Sequence, residues 1–166
     1  KRMQHELPKP LVPLCGKPMI QYLLESIAES GVCDDPIIVV SPDNKHLFEK
    51  HLGADQRFAI QEQQLGTGHA AAAAQALLEG SDEPVMVLYG DHPWVSAETL
   101  QAVARRSEGT GSVLTMATTV VPHFDDWYDA FSSFGRIVRD EREYVQAIVE
   151  KKDATPEQTE IREVNP

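Results

Sequence analysis

The sequence predicts an α/β fold, a doubly wound and mainly parallel sheet. Three observations carry this. Two runs, Pro36-Ile37-Ile38-Val39-Val40 and Val85-Met86-Val87-Leu88-Tyr89, are apolar throughout, as strands buried on both faces of a parallel sheet are. Helical segments alternate with the strand candidates in chain order, the signature of crossover connections. The second apolar run ends abruptly at Gly90-Asp91, and open parallel sheets present ligand-binding groups at such carboxyl ends.

The elements follow in order. Over residues 18–30, Ile20, Leu23, Leu24 and Ile27 recur at three- and four-residue spacing, which predicts a helix closed by Gly31 as a left-handed cap. After the strand at 36–40, residues 43–52 read as a polar helix ending at Gly53. Phe58-Ala59-Ile60 is a short strand, and 61–68 is a loop. His69 to Leu78, with five consecutive alanines, is a strong helix former whose small side chains permit close packing. After the strand at 85–89, Ser96 caps a helix over 97–106, with Glu98 in the first turn suiting its dipole. Residues 112–121 are a strand candidate. Residues 121–133 hold Pro122, Phe124, Trp127, Tyr128 and Phe131 among acids, and read as an insertion or short helix. Two strands, 134–139 and 144–150, flank the turn 140–143 and suggest a β-rich subdomain over the sheet's carboxyl edge. No repeat or linker separates these parts, so one domain over 1–166 is expected.

Composition narrows the function. At 166 residues, 42% hydrophobic and 25% charged, the chain suits a globular domain and excludes a disordered or collagen-like one. No apolar run reaches the ~18–20 residues of a membrane span. The start of the chain has no signal-peptide core, and Cys15 and Cys33 form neither a disulfide scaffold nor a metal-ligand pattern. A cytoplasmic protein without membrane contact is the expectation. A net charge of −11 argues against nucleic acid as a partner, because phosphate neutralisation needs clustered Lys and Arg. Charge is nonetheless uneven. Residues 1–20 carry Lys1, Arg2, Lys9 and Lys17 against Glu6, and residues 123–166 carry eleven acids against six bases. The basic edge could receive a small anion, although on charge alone a solvated N-terminal stretch is the favoured reading.

Two positions point to chemistry. Gly66-Thr67-Gly68 lies between a strand and a helix, where the backbone approaches a ligand closely and helix amides are open to an anion or a base edge. A tight turn with a helix cap has the same pattern. Four polar residues just upstream, Gln61, Glu62, Gln63 and Gln64, include glutamine amides that can read a nucleobase. Asp91, behind an apolar strand, stands where a carboxylate holds Mg²⁺ over a nucleotide phosphate, or where it caps a turn. His69 and His92 flank these positions as conceivable bases or as packed side chains. No Ser-His-Asp, H-E-x-x-H or C-x-x-C pattern occurs, so hydrolase triads and zinc sites have no support.

Several ordered motifs then resemble a known family. Arg2-Met3, Leu7-Pro8-Lys9-Pro10-Leu11 and Gly16-Lys17-Pro18-Met19 are similar to the opening of sugar-1-phosphate nucleotidyltransferases. Gln61-x-x-Gln64-Leu65-Gly66-Thr67-Gly68-His69-Ala70 and Leu88-Tyr89-Gly90-Asp91-x-Pro93 narrow the likeness. So do Phe134-Gly135-Arg136-Ile137, Ile148-Val149-Glu150-x-Lys152-Asp153-Ala154-Thr155 and Glu163-Val164-Asn165. The set most resembles the uridylyltransferase domains of bifunctional N-acetylglucosamine-1-phosphate uridyltransferases. That resemblance implies a sheet of the nucleotide-diphospho-sugar transferase type, and transfer of UMP from UTP to a sugar 1-phosphate, N-acetylglucosamine 1-phosphate in the first instance, with release of pyrophosphate and with Mg²⁺ as cofactor. It implies that Arg2 and Lys9 grip the phosphates as catalytic residues with Asp91, which also holds the metal. Gln61, Gly66 and Thr67 would read uracil, with Gln64 beside them, and Gly135, Glu150 and Asn165 would hold the sugar.

The family pattern also implies an opening strand with a glycine-rich loop ahead of Arg2, and a second metal-binding asparagine past Asn165. The domain is therefore expected to be partial at both ends. The stretch 122–133 is longer than the pattern before the F-G-R-I motif, which leaves the sugar open. Another nucleotide-sugar pyrophosphorylase and a non-catalytic nucleotide-binding fragment are the alternatives, and an oligomer is compatible with either.

Overall fold

The helical stripe read over 18–30 packs as its spacing requires: Ile20, Leu23 and Ile27 are buried on one face. In the computed structural model, which describes residues 7–165, the chain divides into two compact units, one reaching Arg106 and one beginning at Ser107. Arg2 lies outside the described residues.

In the first unit a single 3₁₀ turn, Lys9–Leu11, leads into a hairpin of β1 (Pro13–Leu14) and β2 (Lys17–Pro18). Cys15 and Gly16 both take positive φ there, the geometry a two-residue hairpin turn needs. Next come α1 (Met19–Ser30), β3 (Ile37–Val40), α2 (Lys45–Leu52) and β4 (Arg57–Ile60). β3 and β4 pair in parallel, Ile37 opposite Arg57 through Val40 opposite Ile60. Leu11, Ile20, Ile38, Val40 and Phe48 close the core between the helices and this pair. The alanine-rich helix is two pieces, α3 (Thr67–Ala73) and α4 (Gln75–Leu78), divided at Ala74. The Arg57 guanidinium donates to the Leu77 carbonyl at 2.7 Å, which satisfies one of the carbonyls left open at that helix end.

α5 (Ala97–Thr110) is four residues longer than its expected end. The Thr99 amide donates to Ser96 Oγ at 3.3 Å, as expected of the cap. Leu100 joins Leu23 and Ile27 in a second cluster, with Met86 and Leu88 against it.

The run 85–89 departs from expectation. It belongs to no ladder among the described residues, and Val85, Val87 and Tyr89 are 62%, 53% and 48% exposed. Met86 and Leu88 pack inward, so the run alternates with a period of two. A strand needs a neighbour to take its N–H and C=O groups, and the composition of one segment does not supply that neighbour.

The second unit is an antiparallel sheet of β5 (Thr119–Val120), β6 (Gly135–Arg139), β7 (Val145–Val149) and β8 (Glu163–Asn165), in the order β5-β8-β6-β7. The strand read over 112–121 shrinks to two residues, while Val113 and Leu114 are exposed. A 3₁₀ helix, Asp126–Ser133, fills the aromatic stretch, and a short helix α6 (Pro156–Thr159) follows β7. Val121, Ile137 and Val164 are buried. The turn 140–143 is held by Asp140, whose Oδ1 accepts from the Arg142 and Tyr144 amides at 2.8 and 3.0 Å.

Parallel pairing is thus confined, among the described residues, to β3 and β4. The mixture of helices and sheets fits an α/β nucleotide-sugar transferase fold. No helix among the described residues is long and apolar enough to cross a membrane.

Candidate active site

Residues from three segments of the first unit meet. Pro8 and Pro10 hold Lys9 in a tight 3₁₀ turn, pinned by the fully buried Leu11. Gly90 rests against that turn and α1: a Cβ there would lie 3.5 Å from Ile20 Cδ1 and 3.6 Å from Pro10. Gly90 and Asp91 are the central residues of a turn closed by the His92 amide donating to the Tyr89 carbonyl at 3.1 Å. This packing sets Lys9 Nζ 2.6 Å from Asp91 Oδ2, with His92 Nε2 3.9 Å from Oδ1.

The Asp91 side chain keeps 29% of its surface open. Partial burial works to raise its pKa. The hydrogen bond and charge of Lys9 work the other way, aided by the charge of His92, and hold the carboxyl below its ordinary value. Asp91 is therefore an anion at neutral pH. Among the described residues no group of three or more His, Cys, Asp and Glu side chains comes together. A lone ionised carboxylate does not cage Ca²⁺ or Zn²⁺, but it suits Mg²⁺, which keeps several waters and takes its remaining ligands from substrate phosphates.

The third segment is the loop after β4. Gln61 continues the ladder, its amide donating to the Val40 carbonyl at 2.8 Å. Its side-chain Nε2 lies 3.3 Å from the Gly66 carbonyl and 3.2 Å from His69 Nδ1. Gly66 has φ +105° and ψ −178°, a conformation open essentially to glycine alone. It turns the loop into α3, where Thr67 Oγ1 meets the Tyr89 hydroxyl at 3.3 Å. Tyr89 in turn stacks obliquely on His92, ring centres 5.1 Å apart. Lys9, Asp91, Gln61, Gly66 and Thr67 thus form one connected patch. Gln64 is exposed on the same loop and bonds no described residue.

In the second unit the three residues expected at the sugar meet at one end of the sheet. Gly135 opens β6 directly opposite Asn165 of β8. Glu150 follows β7, whose Val149 pairs with Arg136. A Cβ on Gly135 would lie 3.6 Å from Glu150 Oε1 and 2.9 Å from Ile148 Cγ2, so the absence of a side chain lets Glu150 approach the strand.

Residues 3–163 match the family profile described as nucleotidyl transferase. The chain belongs to the nucleotidyl transferase family. Among its relatives, the bifunctional protein GlmU of Paraburkholderia phytofirmans is 42% identical over 165 residues, covering 99% of this chain and 34% of that protein. The bifunctional protein GlmU of Brevibacillus brevis is 40% identical and that of Bacillus cereus 33%, each over 164 residues with the same coverage. The chain therefore spans about a third of the length of these curated relatives. The resemblance read from the ordered motifs is borne out across both units.

Within this nucleotidyl transferase, some contacts lie beyond sequence reasoning. In sequence Tyr89 is only the end of an apolar run, yet its hydroxyl links the loop to the Asp91 turn. The available signal is a tyrosine, apolar in body and polar at its tip, just before Gly-Asp. Arg136 of the F-G-R-I motif is buried and structural. It donates to the carbonyls of Ser132, Phe134 and Thr159 and lies over the Phe124 ring at 4.5 Å. Arg139 grips Glu163 in a two-pronged pair at 2.5 and 2.7 Å.

Proposed function

We propose that the chain is a uridylyltransferase domain that transfers UMP from UTP to a sugar 1-phosphate, N-acetylglucosamine 1-phosphate in the first instance, and releases pyrophosphate. In this reading both units belong to one nucleotidyltransferase domain of doubly wound type, acting in the cytoplasm. The family match over 3–163 runs across both, which supports it. The observation that carries the reading is the Lys9–Asp91 pair, 82 positions apart in sequence and 2.6 Å apart in space. An exposed ion pair adds only about 0.2–1 kcal/mol to stability, so the fold has little need of it. A cation and a metal-competent carboxylate side by side are what phosphoryl chemistry requires.

An oxygen of the sugar 1-phosphate attacks the α-phosphorus of UTP. The new P–O bond forms as the bond to the bridging oxygen breaks, and its electron pair leaves with pyrophosphate. No covalent enzyme intermediate is needed, so positioning and charge stabilisation supply the catalysis. Lys9, with Arg2, pairs with the phosphate oxygens and offsets the charge gathering on the leaving group. Asp91 would hold Mg²⁺, which when bound supplies further positive charge to the phosphates. Gln61, Gln64, Gly66 and Thr67 face the nucleotide base, and Gly135, Glu150 and Asn165 face the sugar and its N-acetyl group.

The test is thermal denaturation with Mg²⁺ and UTP, then with Mg²⁺ and UDP-N-acetylglucosamine, followed by a pyrophosphate-release assay. A ligand bound only by the native state adds about 2.7 kcal/mol at a hundredfold excess over its dissociation constant. Asp91→Asn is expected to keep the thermal transition and lose Mg²⁺-dependent turnover. Unchanged turnover in that variant removes Asp91 from the mechanism. A transition indifferent to uridine nucleotides refutes the function.

A further inference from the structure

We infer that His69 is a positioning residue whose Nδ1 lone pair fixes the Gln61 amide, so that the site selects a pyrimidine bearing a ring N–H over one presenting a bare ring nitrogen. The inference rests on the base-reading role proposed for Gln61 and adds the reason for its selectivity.

The geometry starts from the Gly66 carbonyl, which can only accept. The Gln61 side-chain atom 3.3 Å from it must therefore be the amide nitrogen. The reversed amide would set two oxygen lone pairs against each other. That same nitrogen is 3.2 Å from His69 Nδ1, and because it donates, Nδ1 must accept. His69 is thus the neutral tautomer with its proton on Nε2. Both hydrogens of the Gln61 amide are now committed, one to Gly66 and one to His69. No described residue donates to Oε1, so the amide offers a base an acceptor and nothing else.

The backbone arranges this. Gly66 at φ +105° turns the chain into α3, and His69 lies in the first turn of that helix. Helix side chains lean toward the N-terminus, which carries the ring back to the loop and Gln61. Uracil and thymine donate through N3–H to an acceptor. Cytosine has a bare N3, and its approach sets lone pair against lone pair. A site built to pair with a particular N–H rejects the analogue lacking it, because its acceptor is then left unmatched.

The experiment uses the full chain. Long-range proton–nitrogen NMR correlations report the His69 tautomer without any nucleotide, and an Nδ1–H ring overturns the inference. UTP and CTP dissociation constants, with Mg²⁺, are then compared for the unaltered chain, His69→Phe, His69→Asn and Gln61→Ala. The unaltered chain is expected to prefer UTP by about tenfold or more, the scale of one well-made hydrogen bond. His69→Phe keeps the ring bulk, frees the amide to turn over, and should bring the two nucleotides within about threefold. His69→Asn restores an acceptor and should recover most of the preference. A His69→Phe protein that loses affinity for both nucleotides with the ratio intact would show a merely structural residue. A ratio unmoved by Gln61→Ala would instead refute the base-reading role of Gln61. Failure of the unaltered chain to bind either nucleotide overturns the functional reading and the inference with it.

Discussion

Gly135 offers the sharpest test of how the second unit is built. It is buried at the start of β6, and a Cβ placed on it would stand 2.9 Å from Ile148 Cγ2, well inside the 3.5–4.0 Å optimum for carbon contacts. Cγ2 branches directly from Cβ, so Ile148 relieves the clash only by changing χ1 or by moving β7. Overpacking of this kind costs about 1–3 kcal/mol. Ile148 is 42% exposed, so it has room to turn, which favours the lower part of that range. Replacing glycine within a strand also recovers about 0.5–1 kcal/mol of backbone entropy. Gly135→Ala should therefore destabilise by about 0.5–2 kcal/mol, the difference of those two terms.

Urea denaturation followed by Trp127 fluorescence in a Trp94→Phe background reads this unit, and the midpoint should fall by about 0.3–1 M with an unchanged slope. The decisive comparison is the double-mutant cycle with Ile148→Ala, which deletes Cγ2. In that background Gly135→Ala should be neutral or stabilising, a coupling of about 1 kcal/mol. Strict additivity of the two substitutions would refute the claim that Gly135 is there to leave room beside Ile148 and Glu150.

Other expected outcomes follow from the same structure. Gly66→Ala meets no atom within 4 Å but must hold φ +105°, so a loss of about 1–3 kcal/mol in urea denaturation is expected, with the loop rather than the core responding in hydrogen exchange. Lys9→Met should raise the Asp91 pKa, because burial raises it and the ammonium's hydrogen bond and charge are the leading influences that hold it down; a carboxyl-carbon NMR titration reads it directly, and turnover should fall by about 10²–10³. Hydrogen bonding from Arg139, against a raising effect of burial and with help from Thr118, holds the Glu163 carboxyl below its ordinary value. Its stabilisation is therefore full above the unfolded-state pKa and is lost as pH falls through the lowered folded-state value. Glu163→Gln should accordingly flatten the acid limb of the stability–pH curve, measured by thermal denaturation in a series of buffers.

Local features are legible in the residue pattern itself. Ile20, Leu23 and Ile27 specify the buried face of α1, and the left-handed Gly31 ends it. The β-branched run becomes β3, and the two strands around Asp140 form β6 and β7. The ordered motifs identify the family, because residue types at set spacings record a shared ancestor whatever the packing around them. Where the pattern misleads, the missing quantity is a partner. The run 85–89 and most of 112–121 have strand composition, but a strand is defined by its neighbour's hydrogen-bonding groups. The alanine helix breaks at Ala74, because helix length depends on what the helix rests on as much as on propensity.

The candidate site divides the same way. In the sequence, position in the pattern singles out Asp91, Gln61, Gly66 and Thr67, and the family resemblance adds Lys9, Gly135, Glu150 and Asn165. Tertiary structure decides which of them meet. Gly90 packing on Pro10 and Ile20 puts an ammonium against the Asp91 carboxylate, and the antiparallel register sets Gly135 opposite Asn165 with Glu150 alongside. Tertiary structure also enlists Tyr89 and His69, because hydrogen bonds at 3.2–3.3 Å depend on where the backbone carries two side chains. The residue types hold the chemistry in one dimension; distance and orientation, on which hydrogen bonds and charge interactions depend, exist only once the chain has folded.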